Sequence, residues 1–277
     1  MKSKIILPCL AILLFACAQQ TPKTLLVLHT NDTHSQVEPL SPGAKNGNKA
    51  GYARRYVLVD SLRRQQGATL LVDAGDFSQG TPYYNFYHGR VEVEALNKMQ
   101  YDVVTLGNHE FDYGVDTLAA VLSQARFAVV CCNYDVSNTP LRNIVKPYVI
   151  VRKNGLKIGV TGVGVNPDGL IYDKNFEGII YKEPYAAVNL IAQRLKEEER
   201  CDVVICLSHL GAEYKDESLP SDVLLAQQSR YIDAVIGGHT HAYMQKKVAN
   251  VLGDSVPVVQ AGKSGAFLGK LTLTIEH

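Results

Sequence analysis

Short apolar runs recur along this chain, and most of them end in a polar stretch that carries Asp, Asn or His. Thr24–Thr30, Thr69–Asp73, Val103–Leu106, Ala128–Cys131, Val203–Leu207 and Ala234–Ile236 have the length and β-branched content of buried strands. Tyr148–Arg152 and Leu156–Val163 flank Asn154-Gly155, the strongest short-range signal for a hairpin. Pro257–Gln260 and Lys270–Ile275 predict two closing strands. Helical spacing falls between them. Tyr52–Gln66 places Tyr56, Val59 and Leu62 on an apolar side with basic residues opposite, and Gly67 is a natural stop. Val91–Met99 and Val115–Ala125 predict two more helices. Pro184 opens a fourth, to Arg200, with Val188, Ile191 and Leu195 on its apolar side. Leu40–Ala50 is rich in Gly, Pro, Asn and Lys and predicts a surface loop. Thr81–His88 holds the rings of Tyr83, Tyr84, Phe86 and Tyr87, for which packing and substrate stacking are both open. No linker breaks the alternation of strands and helices, which predicts an α/β fold in one domain over residues 24–277.

Composition narrows the function classes. The 277 residues are 46% hydrophobic and 20% charged, in globular proportions, and a formal net charge of +1 argues against a nucleic-acid polymer as partner. Lys2 and Lys4 precede an apolar run, Ile5 to Phe15, that is interrupted by Pro8 and too short to span a bilayer, which takes about 20 apolar residues. It predicts a secretory signal. The run ends Leu14-Phe15-Ala16-Cys17, which resembles a bacterial lipobox. On that reading residues 1–16 are a lipoprotein signal, Cys17 carries lipid, residues 17–23 are a tether, and the protein is exported and membrane-anchored, facing the periplasm. Acyl chains there would hold it with about 0.8 kcal/mol per buried methylene. An ordinary signal peptide cut near Ala16 or Ala18 is the alternative. Of the six cysteines, Cys131, Cys132, Cys201 and Cys206 lie in or beside apolar runs, which predicts buried thiols. Adjacent Cys131 and Cys132 lack the C-x-x-C spacing of a zinc knuckle.

The polar residues at the strand ends carry the chemistry. They are Asp32, His34, Asp76, Asn108, His109, His209, His239 and His241, and they take five of the eight histidines. Open α/β sheets build their sites beyond the carboxyl ends of strands, so this set can converge although it is spread over most of the chain. The densest stretch is Leu106 to Gly114. Gly107 would let the backbone turn sharply, Asn108 offers a neutral oxygen to a cation, His109 a titratable donor, and Asp112 a carboxylate able to orient that imidazole. Oxygen and imidazole ligands without thiolate suit Mn, Zn, Fe or Co and disfavour a structural zinc site. Seven ligands (Asp32, His34, Asp76, Asn108, His209, His239, His241) are too many for one such ion and suit two that share Asp76. Two divalent ions against only two carboxylates leave the centre net positive, even with a bridging hydroxide. Such a centre attracts a phosphate dianion and neutralises charge in an in-line displacement.

Asp32-x-His34, Gly75-Asp76, Gly107-Asn108-His109-Glu110, Ser208-His209 and Gly238-His239-Thr240-His241 resemble, in order, the motifs of the calcineurin-like metallophosphoesterases. More narrowly, His29-Thr30-Asn31-Asp32-Thr33-His34, Gly75-Asp76-Phe77-Ser78-Gln79-Gly80, Leu106 to Gly114 and Val259-Gln260-Ala261-Gly262 are similar to the bacterial 5′-nucleotidase branch, over about Leu25 to Ile275. The resemblance implies the metallophosphatase fold, a four-layer αββα sandwich of two mixed β-sheets. It implies two divalent ions, one held by Asp32, His34 and His241, the other by Asn108, His209 and His239, with Asp76 bridging. His109 would donate to the phosphoryl oxygen or leaving group and Asp112 would orient it, while His29, Thr33, Asp73 and Thr240 would support or pack. The implied activity is hydrolysis of nucleoside 5′-monophosphates by a metal-bridging hydroxide. The alternatives are a 2′,3′-cyclic nucleotide phosphodiesterase or nucleotide-sugar diphosphatase, a broad phosphatase, and a non-catalytic metal-binding lipoprotein subunit. The last fits a set with no ligand missing least well. One departure is expected to matter: the branch carries a C-terminal domain that clamps the base, whereas this sequence stops at His277. A separate polypeptide would then supply that domain, or the site would be open to several phosphate esters.

Overall fold

Side-chain alternation within each strand decides how the layers stack. In Lys23–Thr30, Leu25 and Val27 enter one apolar cluster while Leu26 and Leu28 enter another. Thr69–Asp73 repeats this, with Leu70 and Val72 on the first side and Leu71 on the second. A strand buried on both faces needs a layer above and a layer below it. A computed structural model describes residues 22–275, so the expected signal segment, Cys17 and most of the tether lie outside the described residues.

One six-stranded sheet has the spatial order Gly269–Ile275, Lys23–Thr30, Thr69–Asp73, Val103–Thr105, Ala128–Val130, Val145–Lys146. Only Gly269–Ile275 runs antiparallel to its neighbour. The other has the order Tyr243–Ala249, Ser255–Ala261, Ala234–Gly237, Val203–Ser208, Leu156–Val163, Tyr148–Lys153, with both edge strands antiparallel. Leu25, Val27, Leu70, Val72 and Val130 of the first sheet meet Ile158, Val160, Ile205, Leu207 and Ile236 of the second in the central core. The helices Tyr52–Gln66, Arg90–Met99 and Gly114–Leu122 cover the outer face of the first sheet through Val59, Val93, Leu96, Leu118 and Leu122. Pro184–Glu197 and Asp222–Gln228 cover the second through Val188, Leu195 and Leu225. The result is a four-layer αββα sandwich of two mixed sheets. Asn154 and Gly155 both take positive φ, as a tight hairpin turn demands, and Lys153 pairs with Leu156 across them.

Several expectations need correction. On Tyr52–Gln66 the buried face is Tyr52, Arg55 and Val59, while Tyr56 points outward and is 43% exposed. The basic residues do not all face solvent, because Arg55 is buried: its guanidinium lies against Gly265, where a side-chain carbon would have no room. The aromatic stretch contains a helix, Pro82–Tyr87, in which Tyr84 is buried and Phe86 and Tyr87 are exposed. Asp222–Gln228 and the strand Tyr243–Ala249 are additions that the apolar pattern does not predict. That strand is a sheet edge with one side paired, and only Val248 and the partly buried Met244 reach the core, so its sequence lacks an apolar run. The helix after Gly114 ends at Leu122 rather than Ala125, and the one after Pro184 at Glu197 rather than Arg200. Cys131, Cys201 and Cys206 are buried free thiols, and Cys132 is half-buried and also free.

Candidate metal centre

Loops that follow parallel strands of both sheets meet at the seam between the sheets. Asp32 and His34 follow Lys23–Thr30, Asp76 follows Thr69–Asp73, and Asn108 and His109 follow Val103–Thr105. From the second sheet, His209 follows Val203–Ser208, and His239 and His241 follow Ala234–Gly237. These side chains form two groups. In one, Asp32, His34 and His241 bring a ligand atom each within 4.8 Å of one another; in the other, Asp76, His209 and His239 do the same. Asn108 completes the second group, its Oδ1 3.0 Å from His239 Nδ1. Each group takes residues from both sheets.

The donor set passes a test of fit to cations. His34 and His241 turn Nε2 toward Nε2 at 2.9 Å, an arrangement suited to two imidazoles that share an acceptor of electron pairs. Asp32 Oδ1 lies 3.5 Å from His241 Nε2. In the second group His209 places Nδ1 2.7 Å from the carbonyl of Ala74 and donates to it, which sends the lone pair of Nε2 toward Asp76 Oδ2 at 3.1 Å. His209 Nε2 is buried and has no hydrogen-bond partner of good geometry. Burial pushes the His34 and His239 imidazoles down to about 4, so both are neutral ligands at pH 7. Burial also opposes the His209 cation, but the Asp76 carboxylate beside it prevails and raises that histidine to about 10. A proton and a divalent cation therefore compete for the position between His209 and Asp76. Burial raises Asp32 to about 7, with the nearby Asp76 charge adding to the effect.

The backbone is as specialised as the side chains. Asp32, His34, Asp76, His239 and His241 all take φ between 46° and 72°, the left-handed region that non-glycine residues rarely occupy. Such residues cost about 1 kcal/mol or more each, and they persist because the surroundings fix them. Asn31 is one anchor: its Oδ1 accepts from Ala261 N–H at 2.8 Å, and its Nδ2 donates to Asp32 Oδ2 and to the Gly262 carbonyl. Gln260 is another, donating to the Gly238 carbonyl and accepting from Ala242 N–H. Glu110 is the third. Its buried carboxylate accepts N–H bonds from Gly107, Asp76 and Ser78, stitching two ligand loops together. Sequence reasoning assigns none of these three a role. Gly107, expected to supply a sharp turn, has an ordinary φ. It is needed for space, since a side-chain carbon there would collide with Asp76 Oδ1.

His109 stands beside both groups, its ring 5.6 Å from that of His34. Asp112 Oδ2 lies 3.0 Å from His109 Nδ1, and this hydrogen bond, foremost among several acidic neighbours, raises the pKa of the imidazole. Asp76 Oδ1 accepts the His109 backbone N–H at 3.0 Å. Of the residues expected to support the site or to pack, Asp73 accepts from Gly75 N–H and Thr30, and Thr240 accepts from Ala212 N–H. His29 packs against Gly269 in the strand pairing, and the buried Thr33 hydroxyl has no partner.

Known proteins share this arrangement of chain. Residues 25–243 match the family described as calcineurin-like phosphoesterase. The 5′-nucleotidase of Diplobatis ommata is 32% identical over 95% of this chain and 48% of its own length. The solved structure of a 5′-nucleotidase precursor from Thermus thermophilus superposes with a TM-score of 0.81 at 31% identity, covering 91% of this chain and 51% of that one. The calcineurin-like phosphoesterase YfkN from Bacillus subtilis gives a TM-score of 0.76 at 29% identity, over 93% of this chain and 86% of the solved one. This chain spans about half the length, or less, of the curated relatives it matches. With two candidate metal groups set on a two-sheet sandwich and the family match covering both, the chain belongs to the calcineurin-like phosphoesterases.

Proposed function

We propose that this chain is a two-metal phosphomonoesterase that hydrolyses nucleoside 5′-monophosphates to nucleoside and phosphate. The observation that supports it most is the pair of ligand groups at the sheet seam with an imidazole–carboxylate pair beside them. In this reading Asp32, His34 and His241 hold one ion, Asn108, His209 and His239 the other, and Asp76 is shared. Mn, Zn, Fe or Co suits these donors. Two such ions supply positive charge to the phosphoryl group and an ionised water at neutral pH. The chain's own part is orientation and proton transfer. His109 Nδ1 donates to Asp112, which leaves Nε2 as the nitrogen that carries a proton to the departing ester oxygen. The backbone N–H of His109, held by Asp76, fixes the distance of that ring from the second group.

The test is hydrolysis by the Mn²⁺-loaded chain of AMP, a sugar phosphate, a 2′,3′-cyclic nucleotide and a diester, each with and without EDTA. Chelator-sensitive cleavage that favours AMP is expected, together with loss of turnover in Asp76→Asn. Preference for the diesters would replace the monoesterase reading, and no cleavage of any ester by chain shown to hold metal would overturn it. Export and lipid anchoring through Cys17 complete the proposal, supported by Leu14-Phe15-Ala16-Cys17. Cys17→Ala should move the chain from the membrane to the soluble fraction. A separate polypeptide that adds specificity would co-purify with the anchored chain.

A further inference from the structure

Next to the first ligand group a cavity of about 660 Å³ opens, with His241 as their common wall. That volume lies inside the range of small-molecule sites, about 300–1,000 Å³. Two aromatic rings line it. Tyr243 and Phe267 stand with centroids 4.8 Å apart, and Tyr243 is 75% exposed. Lys49 sits over the Phe267 ring at 4.4 Å, which leaves Tyr243 to present the open face. Lys45 and Lys263 also line the cavity, and none of its described lining residues is acidic. The wall is held in place rather than loose: Ser264 N–H donates to the Asp32 carbonyl at 2.7 Å, and Asn31 holds the Gly262 carbonyl at 2.7 Å.

From this we infer that the cavity beside His241 is the leaving-group subsite and takes the nucleobase of a nucleotide whose phosphoryl group lies at the metal groups. The inference rests on the hydrolase reading above and names the residues of this chain that recognise the rest of the substrate. A bare ring face stacks on any base. Lysine ammonium groups donate only, and a base offers ring nitrogens and carbonyls that accept. Asn46 and Ser264 line the same cavity and offer oxygens to hydroxyls, so the stacking face of Tyr243 is what separates a base from a sugar alone. Tyr243 and Lys263 are therefore specificity-determining residues that act on the base and not on the phosphoryl group.

Two measurements test this on the full chain. The first is the ratio of kcat/KM for AMP to that for glycerol 3-phosphate, a monoester without a ring. Tyr243→Ala should lower that ratio by about tenfold, chiefly through the KM for AMP, in line with the usual cost of removing a stacking ring. Lys263→Ala should lower it in the same sense. An unchanged ratio in both variants would overturn the subsite while leaving the hydrolase reading intact. The second is calorimetric binding of adenosine, which needs no turnover. Saturable binding that Tyr243→Ala weakens supports the subsite; absence of saturable binding by the wild-type chain overturns it. If the wild-type chain cleaves neither ester, the hydrolase reading fails and the adenosine measurement decides the subsite by itself.

Discussion

His109 differs from His34 and His239 in the sign of its environment. Burial lowers His34 and His239, whereas the hydrogen bond that His109 donates to Asp112 raises His109. An imidazole with a raised pKa keeps its proton to higher pH, and a step that needs this proton fails as pH climbs through the raised value. Asp112→Asn removes the charge and lowers that value. The alkaline limb of the kcat/KM profile should then shift to lower pH, while rates well below it change little; a limb that stays in place would break the link. His109→Ala should retain bound metal and lose about 10² to 10⁴ in turnover, the usual span for a positioned acid. The pair was legible in sequence, because three residues of separation in a tight loop permit one hydrogen bond. Glu110 was not. Its three N–H partners come from two loops more than thirty positions apart in sequence, and nothing local marks a carboxylate as buried.

Strands and the loops after them were the most readable elements, since a buried parallel strand must be an apolar run and must end somewhere polar. The set of ligand-type residues at strand ends follows from that rule applied strand by strand, while their division into two groups was implied by the family resemblance. What stayed hidden lacked an apolar run or depended on a neighbour. Tyr243–Ala249 is an exposed edge, Asp222–Gln228 spans only seven residues, and Arg55 is buried because Gly265 lets the backbone close over it. The left-handed φ of five site residues is equally invisible from composition. Close approach between loops gives the prediction at this scale. In Gly107→Ala the new carbon collides with Asp76 Oδ1 and the Asp76 backbone nitrogen, so the two loops must part. A loss of about 1–3 kcal/mol is expected, as for other overpacked sites, with weaker metal binding alongside it. Denaturant melts and metal titration would show this, and a variant as stable as the wild type would show that the loops have slack.

At the scale of the whole molecule, each ligand group joins one sheet to the other: Asp32 and His34 to His241, and Asp76 to His209 and His239. A bound ion is then a cross-tie between sheets whose shared core is otherwise apolar. Ligand present at about a hundred times its dissociation constant adds about 2.7 kcal/mol to stability. Chelation should therefore lower Tm by several degrees, and added Mn²⁺ should restore it. Identical melting of metal-loaded and stripped chain, with loading verified, would mean that the ions tie nothing together.

The same seam governs when a metal can arrive. His34 and His241, which share one group, are 207 positions apart, so a chain still short of the second sheet's last ligand loop cannot hold both. Capture of metal by the complete group should thus follow the docking of both sheets. Sites of imidazole and carboxylate choose among first-row ions largely by what is available. The metal found in the purified chain should therefore vary with the metal pool in which the second sheet finishes folding, which metal analysis of chain matured in different media would check.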